Sequence, residues 1–491
     1  MRLSELLNGV RILDGNNLLE KEISMICSDS RKVVKNGVFV AIKGEKRNGN
    51  DYIDEAVRNG AIVVITDQKD VFLKFENVVL TENSRAAISY MWNNYYKNPT
   101  SNIKIVAITG TNGKTSCAYY LYNILKQANK KRGLISTVEC LINDQIIETN
   151  GGSEVLDIDS AMTTPDPEIL YSIFNKMREN GVEYIVMEAS SHALKQLKLD
   201  PIKISYAIFT NLSPEHLDFH QNMEDYFNAK KMAFQKETVG IVNADDDYGK
   251  LLIKENEKFY SCSIKDECAN FFAKNIELSK IGNSYVVDLD RKDMEINTIQ
   301  IGEFSIYNSL LSSVCAYLMG MKIEDIELGI HNTKIIRGRL EKIEGVNIYI
   351  DYAHTPYAMQ TVLNAIKKSH PGKRIISLFG CGGDRDKGKR AKMGKIASCL
   401  SDFCIITNDN SRSENPENII AEILSGIQKE KSYVVIPKRE EAINYAISKM
   451  NKEDILILFG KGHETYQIDR NGKSFFDERK IIYKAIKNDK N

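Results

Sequence analysis

The sequence has no long apolar run: its runs, such as Ala61 to Ile65 and Ile455 to Phe459, only reach strand length, whereas a membrane helix needs roughly 18 consecutive apolar residues. The opening stretch, Met1-Arg2-Leu3-Ser4-Glu5-Leu6-Leu7, is interrupted by polar residues, so no secretory signal is expected there. Neither sign of charge dominates. Lys plus Arg and Asp plus Glu number 66 each, which leaves no net field to draw in nucleic acid or an anionic membrane. The nine cysteines are scattered, odd in number and include no Cys-x-x-Cys, and no His/Cys pair has zinc-site spacing, so they read as reduced thiols. No strand pattern runs into Gly-x-Gly-x-x-Gly, which argues against a nicotinamide enzyme. No Gly-x-Ser-x-Gly elbow surrounds Ser190-Ser191-His192, which argues against a serine hydrolase. These absences predict a cytoplasmic chain without membrane insertion or a nucleic-acid partner.

What is present is a phosphate-binding pattern. Apolar Ile103, Ile105, Val106 and Ile108 lead into Gly110-Thr111-Asn112-Gly113-Lys114-Thr115, and Ala118, Leu121, Tyr122 and Leu125 follow at helical spacing. Glycines let backbone N–H groups approach phosphate oxygens, Lys114 adds a point charge, and the Thr115 hydroxyl suits Mg²⁺. The position where the full P-loop has its first glycine is Ile108, so this is a shortened variant. Binding of a nucleoside triphosphate is the expectation, with an ordinary glycine-rich turn as the alternative.

A chain of 491 residues exceeds one core, and three domains are the natural expectation. Residues 1–98 mix short strand patterns (Gly37 to Ile42, Ala61 to Thr66, Asn77 to Leu80) with helical ones and end in the linker-like Lys97-Asn98-Pro99-Thr100-Ser101-Asn102. Residues 99–335 alternate strand with helix, which predicts an α/β fold with a mainly parallel sheet covered on both faces. After Arg337-Gly338-Arg339 a third α/β unit, 336–491, restarts at Asn347 to Ile350.

In open α/β sheets ligands bind beyond the carboxyl ends of the strands, so the residues after each apolar run carry the information. Tyr184 to Met187 leads to Glu188, Ser190, Ser191 and His192, and Ala207 to Phe209 leads to Thr210, Asn211, His216, Asp218 and His220. Ile348 to Ile350 leads to Asp351, Tyr352 and His354, while Ile376 to Phe379 leads to Gly380 through Asp386. Cys404 to Ile406 leads to Asn408-Asp409-Asn410-Ser411-Arg412, and Leu456 to Phe459 leads to Gly460-Lys461-Gly462-His463-Glu464. Five of the seven histidines fall in these segments, which favours one site built from several loops over a solvated surface. Glu188 and Thr115 are hard oxygen donors of the kind Mg²⁺ takes beside phosphate and water. Two bland readings stand beside these: Lys461 to Glu464 as a solvated turn, and Arg385 to Arg390 as an exposed charged loop.

Gly110 to Thr115, Thr163-Thr164-Pro165, Glu188 to His192, Asn211 to His220, Asp351 to Pro356, Gly380 to Arg390, Asp409 to Arg412 and Gly460 to Glu464, together with Asp29-Ser30-Arg31, resemble the Mur ligases, most closely their MurE type. The resemblance spans nearly the whole chain. It implies a small N-terminal α/β domain for the UDP end of the substrate, a central P-loop-type ATPase and a C-terminal Rossmann-like domain. It also implies a reaction in which ATP phosphorylates the free carboxylate of UDP-N-acetylmuramoyl-L-alanyl-D-glutamate, and an amino acid's amine then attacks the acyl phosphate. By similarity Gly110, Thr111, Asn112, Gly113, Lys114, Thr115, Asn211, Arg339, Asp351 and His354 serve ATP. Thr115, Glu188 and His216 serve Mg²⁺, together with Lys230 as N6-carboxylysine, the catalytic set being Lys114, Glu188, His216 and Lys230. Ser30, Thr163, Thr164, Ser190 and Lys198 match sugar-nucleotide or peptide contacts. Arg385, Asp409, Asn410, Arg412, Gly460 and Glu464 match positions around the incoming amino acid. Without the resemblance, Lys230 reads as an exposed helix lysine.

Three positions depart from the family pattern. Ser411 replaces the proline of Asp-Asn-Pro-Arg, the loop of members that use meso-diaminopimelate; Lys198 stands where an arginine is common; and Ser305 stands where asparagine is usual. Arg412, Arg385 and Glu464 favour an amino acid with both an extra carboxylate and an extra amine, hence diaminopimelate, because L-lysine leaves Arg412 partly unpaired. The competing expectations are a ligase for L-lysine or another acceptor, including a folylpolyglutamate-like one, and a non-catalytic nucleotide-binding paralogue. Small-molecule substrates and a monomer complete the expectation.

Overall fold

The computed structural model describes residues 1–44, 47–147, 163–289, 292–428 and 430–488. The chain divides into two compact units: residues 1–109, 130–207 and 228–239 form one, and residues 110–129, 208–227 and 240–491 the other.

The first unit holds a five-stranded sheet in which Met25–Cys27, Gly37–Val40, Ala61–Thr66 and Val78–Thr81 run parallel, with Ile12–Asp14 antiparallel at one edge. The same unit carries a second set of strands. Tyr184–Glu188 lies parallel between Lys104–Thr109 and Arg132–Ile135, so Glu188 ends level with Ile108 just before the glycine-rich loop begins. Tyr184–Glu188 and most of Lys104–Thr109 are buried, as strands covered on both faces must be, and this explains their unbroken apolar character. Cys140–Ile142 and Gln145–Ile146 extend this set antiparallel.

In the second unit the helix Lys114–Gln127 packs against Glu303–Leu318 and Ile323–His331. Gly329 permits the closest approach, since a Cβ there would sit 2.5 Å from the Ile124 Cα. Strands Val239–Asn243, Tyr260–Ser263 and Phe271–Ser279 are parallel, as expected of a mainly parallel sheet, while Gly282–Asp288 and Asp293–Thr298 turn back antiparallel at its edge. The last strand buries alternate residues, so one face meets solvent and a two-sided helical cover is absent there. A six-stranded sheet follows in the order Glu341–Lys342, Ile348–Asp351, Ile455–Phe459, Ile375–Phe379, Phe403–Ile406 and Tyr433–Val435. All but the first strand are parallel, and apolar clusters cover both faces. The loops leaving the carboxyl ends of its strands carry Tyr352, Gly380 to Arg385, Asp409 to Arg412 and Gly460 to Glu464, the residues the sequence singled out.

Candidate functional site

The glycine-rich loop belongs to the second unit and is shaped by the segment after strand Ile204–Phe209. Asn211 accepts from the Thr111 amide through its carbonyl (2.8 Å) and from the Asn112 amide through its side chain (3.0 Å). The Asn211 and Thr210 side chains also donate to the Asn112 carbonyl, at 3.0 and 2.6 Å. Asn211 therefore holds the loop, and the amides still directed along the axis are those at the start of helix Lys114–Gln127, which no side chain caps. Two glycines are required for steric reasons: a Cβ on Gly110 (φ +145°) would lie 1.8 Å from Thr210 Oγ1, and one on Gly113 (φ +89°) 2.3 Å from Asn308 Oδ1. Lys114 Nζ reaches the Gly110 and Thr111 carbonyls at 2.9 and 2.8 Å, and Thr115 Oγ1 accepts from Arg339 at 2.9 Å. Thr111 Oγ1 lies 3.2 Å from the buried phenol of Tyr226, a neighbour of His216.

Glu215, a residue sequence reasoning passed over, ties this loop region to the six-stranded sheet within the same unit. Its carboxylate lies 3.0 Å from His354 Nε2 and 3.8 Å from His216 Nε2. Burial acts to raise its pKa, but His216, His354 and Lys114 outweigh burial and hold the carboxyl well below the usual range. His354 Nδ1 faces the Tyr352 carbonyl at 2.9 Å, so both ring nitrogens lie against oxygen atoms. The Arg339 guanidinium stacks over the Tyr352 ring at 4.7 Å, and His463 packs on the same ring. Burial, then Arg339, Arg337 and Arg479, push the His463 pKa down to about 3, so it is neutral. Asp351 is buried and accepts from the Leu340 and Ala353 amides at 2.5 and 2.7 Å; burial raises its pKa, with Arg339 opposing.

A second group of side chains gathers at the ends of Phe403–Ile406 and Ile455–Phe459. Lys461 is fully buried, which overturns the solvated-turn reading of its segment, and Arg390 is fully buried between Glu414 and Glu422, so the Arg385 to Arg390 loop is exposed only in part. Lys461 and Arg439 outweigh burial to hold the Asp409 pKa down, while burial and the Asp409 charge push Glu464 up. Gly460 (φ +105°) leaves room for this carboxylate, since a Cβ there would lie 2.5 Å from Asp409 Oδ2. Arg412 donates to the Gly383 and Asn410 carbonyls at 2.8 and 3.3 Å, with Arg385 near enough to lower its pKa alongside burial. The turn that lacks proline at Ser411 is braced instead by Gly383 N–H to Asn410 O (2.9 Å) and Arg412 N–H to Ile468 O (3.2 Å).

The first unit holds the remaining predicted residues. Glu188 is buried, and its two oxygens accept from the Thr137 amide and hydroxyl at 2.8 and 3.1 Å. Thr164 donates to the Glu188 carbonyl and to Ser190, at 2.9 and 3.3 Å, and Thr163 beside it is half-buried. The Lys198 ammonium is buried, paired with Asp166 at 2.7 Å and 3.5 Å from the Thr164 carbonyl. Ser30 donates to Glu55 at 2.5 Å. Lys230, on helix Met223–Lys231, is 1% exposed, which overturns its reading as a surface lysine. The structure brings together Lys114, Thr115, Arg339, Glu215, His216 and His354 in one unit and Glu188, Thr164, Ser190 and Lys198 in the other. Ser305, at the departure from asparagine, is bonded to Asn283 (2.7 Å) and Gln300 (2.9 Å), so Asn283 fills its surroundings.

Known proteins resemble this chain along nearly its whole length. Three family descriptions match in order: "Mur ligase family, catalytic domain" over residues 22–94, "Mur ligase middle domain" over 108–316 and "Mur ligase, glutamate ligase domain" over 338–462. The chain is 42% identical over 493 residues, 99% of each chain, to the UDP-N-acetylmuramoyl-L-alanyl-D-glutamate--2,6-diaminopimelate ligase of Caldanaerobacter subterraneus subsp. tengcongensis. It is 38% identical to the protein of the same name from Clostridioides difficile, again over 99% of each chain. A solved structure of a ligase of that name superposes with a TM-score of 0.69 at 26% identity, covering 100% of this chain and 99% of the other. The shaped phosphate loop, the gathered carboxyl-end loops and these full-length matches lead to one conclusion: the chain belongs to the Mur ligase family and is an ATP-dependent ligase that forms amide bonds.

Proposed function

We propose that this enzyme adds meso-2,6-diaminopimelate to UDP-N-acetylmuramoyl-L-alanyl-D-glutamate in peptidoglycan precursor synthesis. The observation that carries the reading is that Asn410 links the Arg412 guanidinium, which donates to its carbonyl at 3.3 Å, to the Glu464 carboxylate, which accepts from its side chain at 2.9 Å, so a cation and a carboxylate are held near each other without pairing directly. Such a cluster suits an amino acid whose far end is zwitterionic, since a guanidinium pairs with carboxylate and a carboxylate with ammonium. The names of the relatives support the same substrate.

A carboxylate is a poor electrophile until one oxygen becomes part of a leaving group. The substrate carboxylate oxygen bonds to the γ-phosphorus of ATP and ADP departs with the electron pair of the broken P–O bond. The amine nitrogen then bonds to the acyl carbon, phosphate leaves, and the amine proton passes to solvent or to a nearby base. The protein's part is to position the reactants and balance charge. Lys114 and the helix N-terminus hold the phosphates, Arg339 approaches from the Thr115 side, and Asp351 and His354 orient the nucleotide end. Ser30, Thr163, Thr164, Ser190 and Lys198 hold the sugar-nucleotide and peptide.

By their chemistry, the Thr115 hydroxyl and His216 in one unit, and the Glu188 carboxylate in the other, are each groups that would hold Mg²⁺. Mg²⁺ would supply neutralisation of phosphate charge. Lys230 is assigned carbamylation by its match to the family position; it is buried, and a carbamate there would be an anion that suits a metal. Segments 1–98, 99–335 and 336–491 are assigned to sugar-nucleotide, ATP and amino acid respectively. The nine cysteines are all free thiols, which supports a reducing, cytoplasmic setting.

The test is ADP release with the muramoyl dipeptide across a panel of amino acids. Turnover with diaminopimelate at least a hundredfold above L-lysine is expected, and equal turnover with lysine, or turnover only with a folate acceptor, overturns the reading.

A further inference from the structure

We propose that Lys461 is a positioning residue that fixes the spacing between the carboxylate-reading and amine-reading halves of the amino-acid pocket, and so sets the preference for a substrate carrying both groups. This rests on the diaminopimelate reading above and assigns the origin of its selectivity.

The Lys461 side chain is completely buried, and its ammonium joins two chain segments, the Asp409-Asn410 loop and Glu464 to Tyr466. It donates to Asn410 Oδ1 at 2.9 Å, in the loop after strand Phe403–Ile406, and to the Tyr466 carbonyl at 2.8 Å, on strand Tyr466–Asp469. Its remaining side faces Glu464 Oε2 at 3.5 Å and Asp409 Oδ1 at 4.0 Å. An ammonium has three donors and no acceptor, so this set uses its full capacity without any contact to solvent.

Asn410 carries the brace onward. Its Oδ1 also accepts from the Ile468 amide (3.0 Å), its Nδ2 donates to Glu464 Oε2 (2.9 Å), and its carbonyl accepts from Arg412 Nη1 (3.3 Å). Arg412, Asn410, Lys461 and Glu464 thus form one connected chain of hydrogen bonds. The guanidinium that reads a carboxylate and the carboxylate that reads an amine are held at opposite ends of a shared frame.

The consequence for selectivity is physical. L-Lysine brings the amine without the second carboxylate, and the penalty for leaving Arg412 unpaired is large only while Arg412 cannot swing away to water. Loosening the frame weakens binding of the full substrate and relaxes the penalty on the poorer one.

The experiment measures kcat and KM with diaminopimelate and with L-lysine in the full-length enzyme, for Lys461→Met and for Asn410→Ala, which cuts the same brace without removing a buried charge. The expected result is a tenfold or greater rise in KM for diaminopimelate, KM for ATP within twofold of the parent, and a tenfold or greater fall in the diaminopimelate-to-lysine ratio of kcat/KM. A purely structural role would depress both amino acids equally, so an unchanged ratio in folded variants overturns the proposal. If Lys461→Met fails to fold, Asn410→Ala decides. If the parent does not use diaminopimelate, the functional reading fails and this proposal falls with it; if the parent discriminates and the variants keep its ratio, this proposal alone fails.

Discussion

Replacing Glu215 by glutamine keeps its shape and removes its charge, and so isolates what the carboxylate does between His216 and His354. With both imidazoles protonated, and at an effective dielectric of about 20, unit charges separated by the observed 3.0 and 3.8 Å attract by about 5.5 and 4.4 kcal/mol. The two imidazole side chains are 39% and 41% exposed, so water screens both pairs and about 1 kcal/mol each is the realistic contribution. A glutamine oxygen can still accept from one imidazole, which limits the loss to about 2 kcal/mol in total. If this carboxylate orients His216 and His354 in the transition state, kcat/KM for ATP falls by about 30-fold in Glu215→Gln. The assay is initial-rate ADP release at saturating amino acid and muramoyl dipeptide, with circular dichroism to verify folding. A double-mutant cycle with His354→Gln adds a second reading, with a coupling energy of about 1 kcal/mol expected. A folded Glu215→Gln enzyme within threefold of the parent, or a coupling energy near zero, refutes the argument.

Three further outcomes are expected. Lys230→Ala abolishes ADP release, and added short carboxylates such as formate restore part of it; a variant as active as the parent removes the case for a carbamate. Gly460→Ala forces a side chain into a positive-φ conformation at a strain cost of about 1–3 kcal/mol and displaces Asp409, so KM for the amino acid rises about tenfold while KM for ATP holds, and an unchanged amino-acid KM rejects the steric account. Glu414, hydrogen-bonded to buried Arg390, has its pKa lowered to about 2, so the stability it contributes is present above its ordinary carboxyl pKa and is lost as the pH falls toward 2. The melting temperature of Glu414→Gln should therefore trail the parent's at pH 6 and approach it near pH 2, and a gap independent of pH counts against the pairing.

Much of the scaffold was legible because its strands are buried on both faces. Tyr184–Glu188 and Ile455–Phe459 are unbroken apolar runs, and their ends deliver the polar residues at fixed points along the chain. The antiparallel strand Asp293–Thr298 also had a signal, Met294, Ile296 and Thr298 alternating with Asp293, Glu295 and Asn297, but one exposed face gives it a weaker imprint. Lys230 and Lys461 were opaque for a different reason: a lysine in a polar stretch carries no mark of burial, which depends on what packs over it.

The order of apolar and polar segments along the chain, a local property set by burial, by itself determined the α/β class, the glycine-rich phosphate loop and the residues at the strand ends. Only the tertiary structure decided which of those residues meet. Glu215 lies between histidines at 216 and 354, and Lys461 links Asn410 to Tyr466, because such contacts join segments distant in sequence and depend on close packing and on excluding water from charged groups.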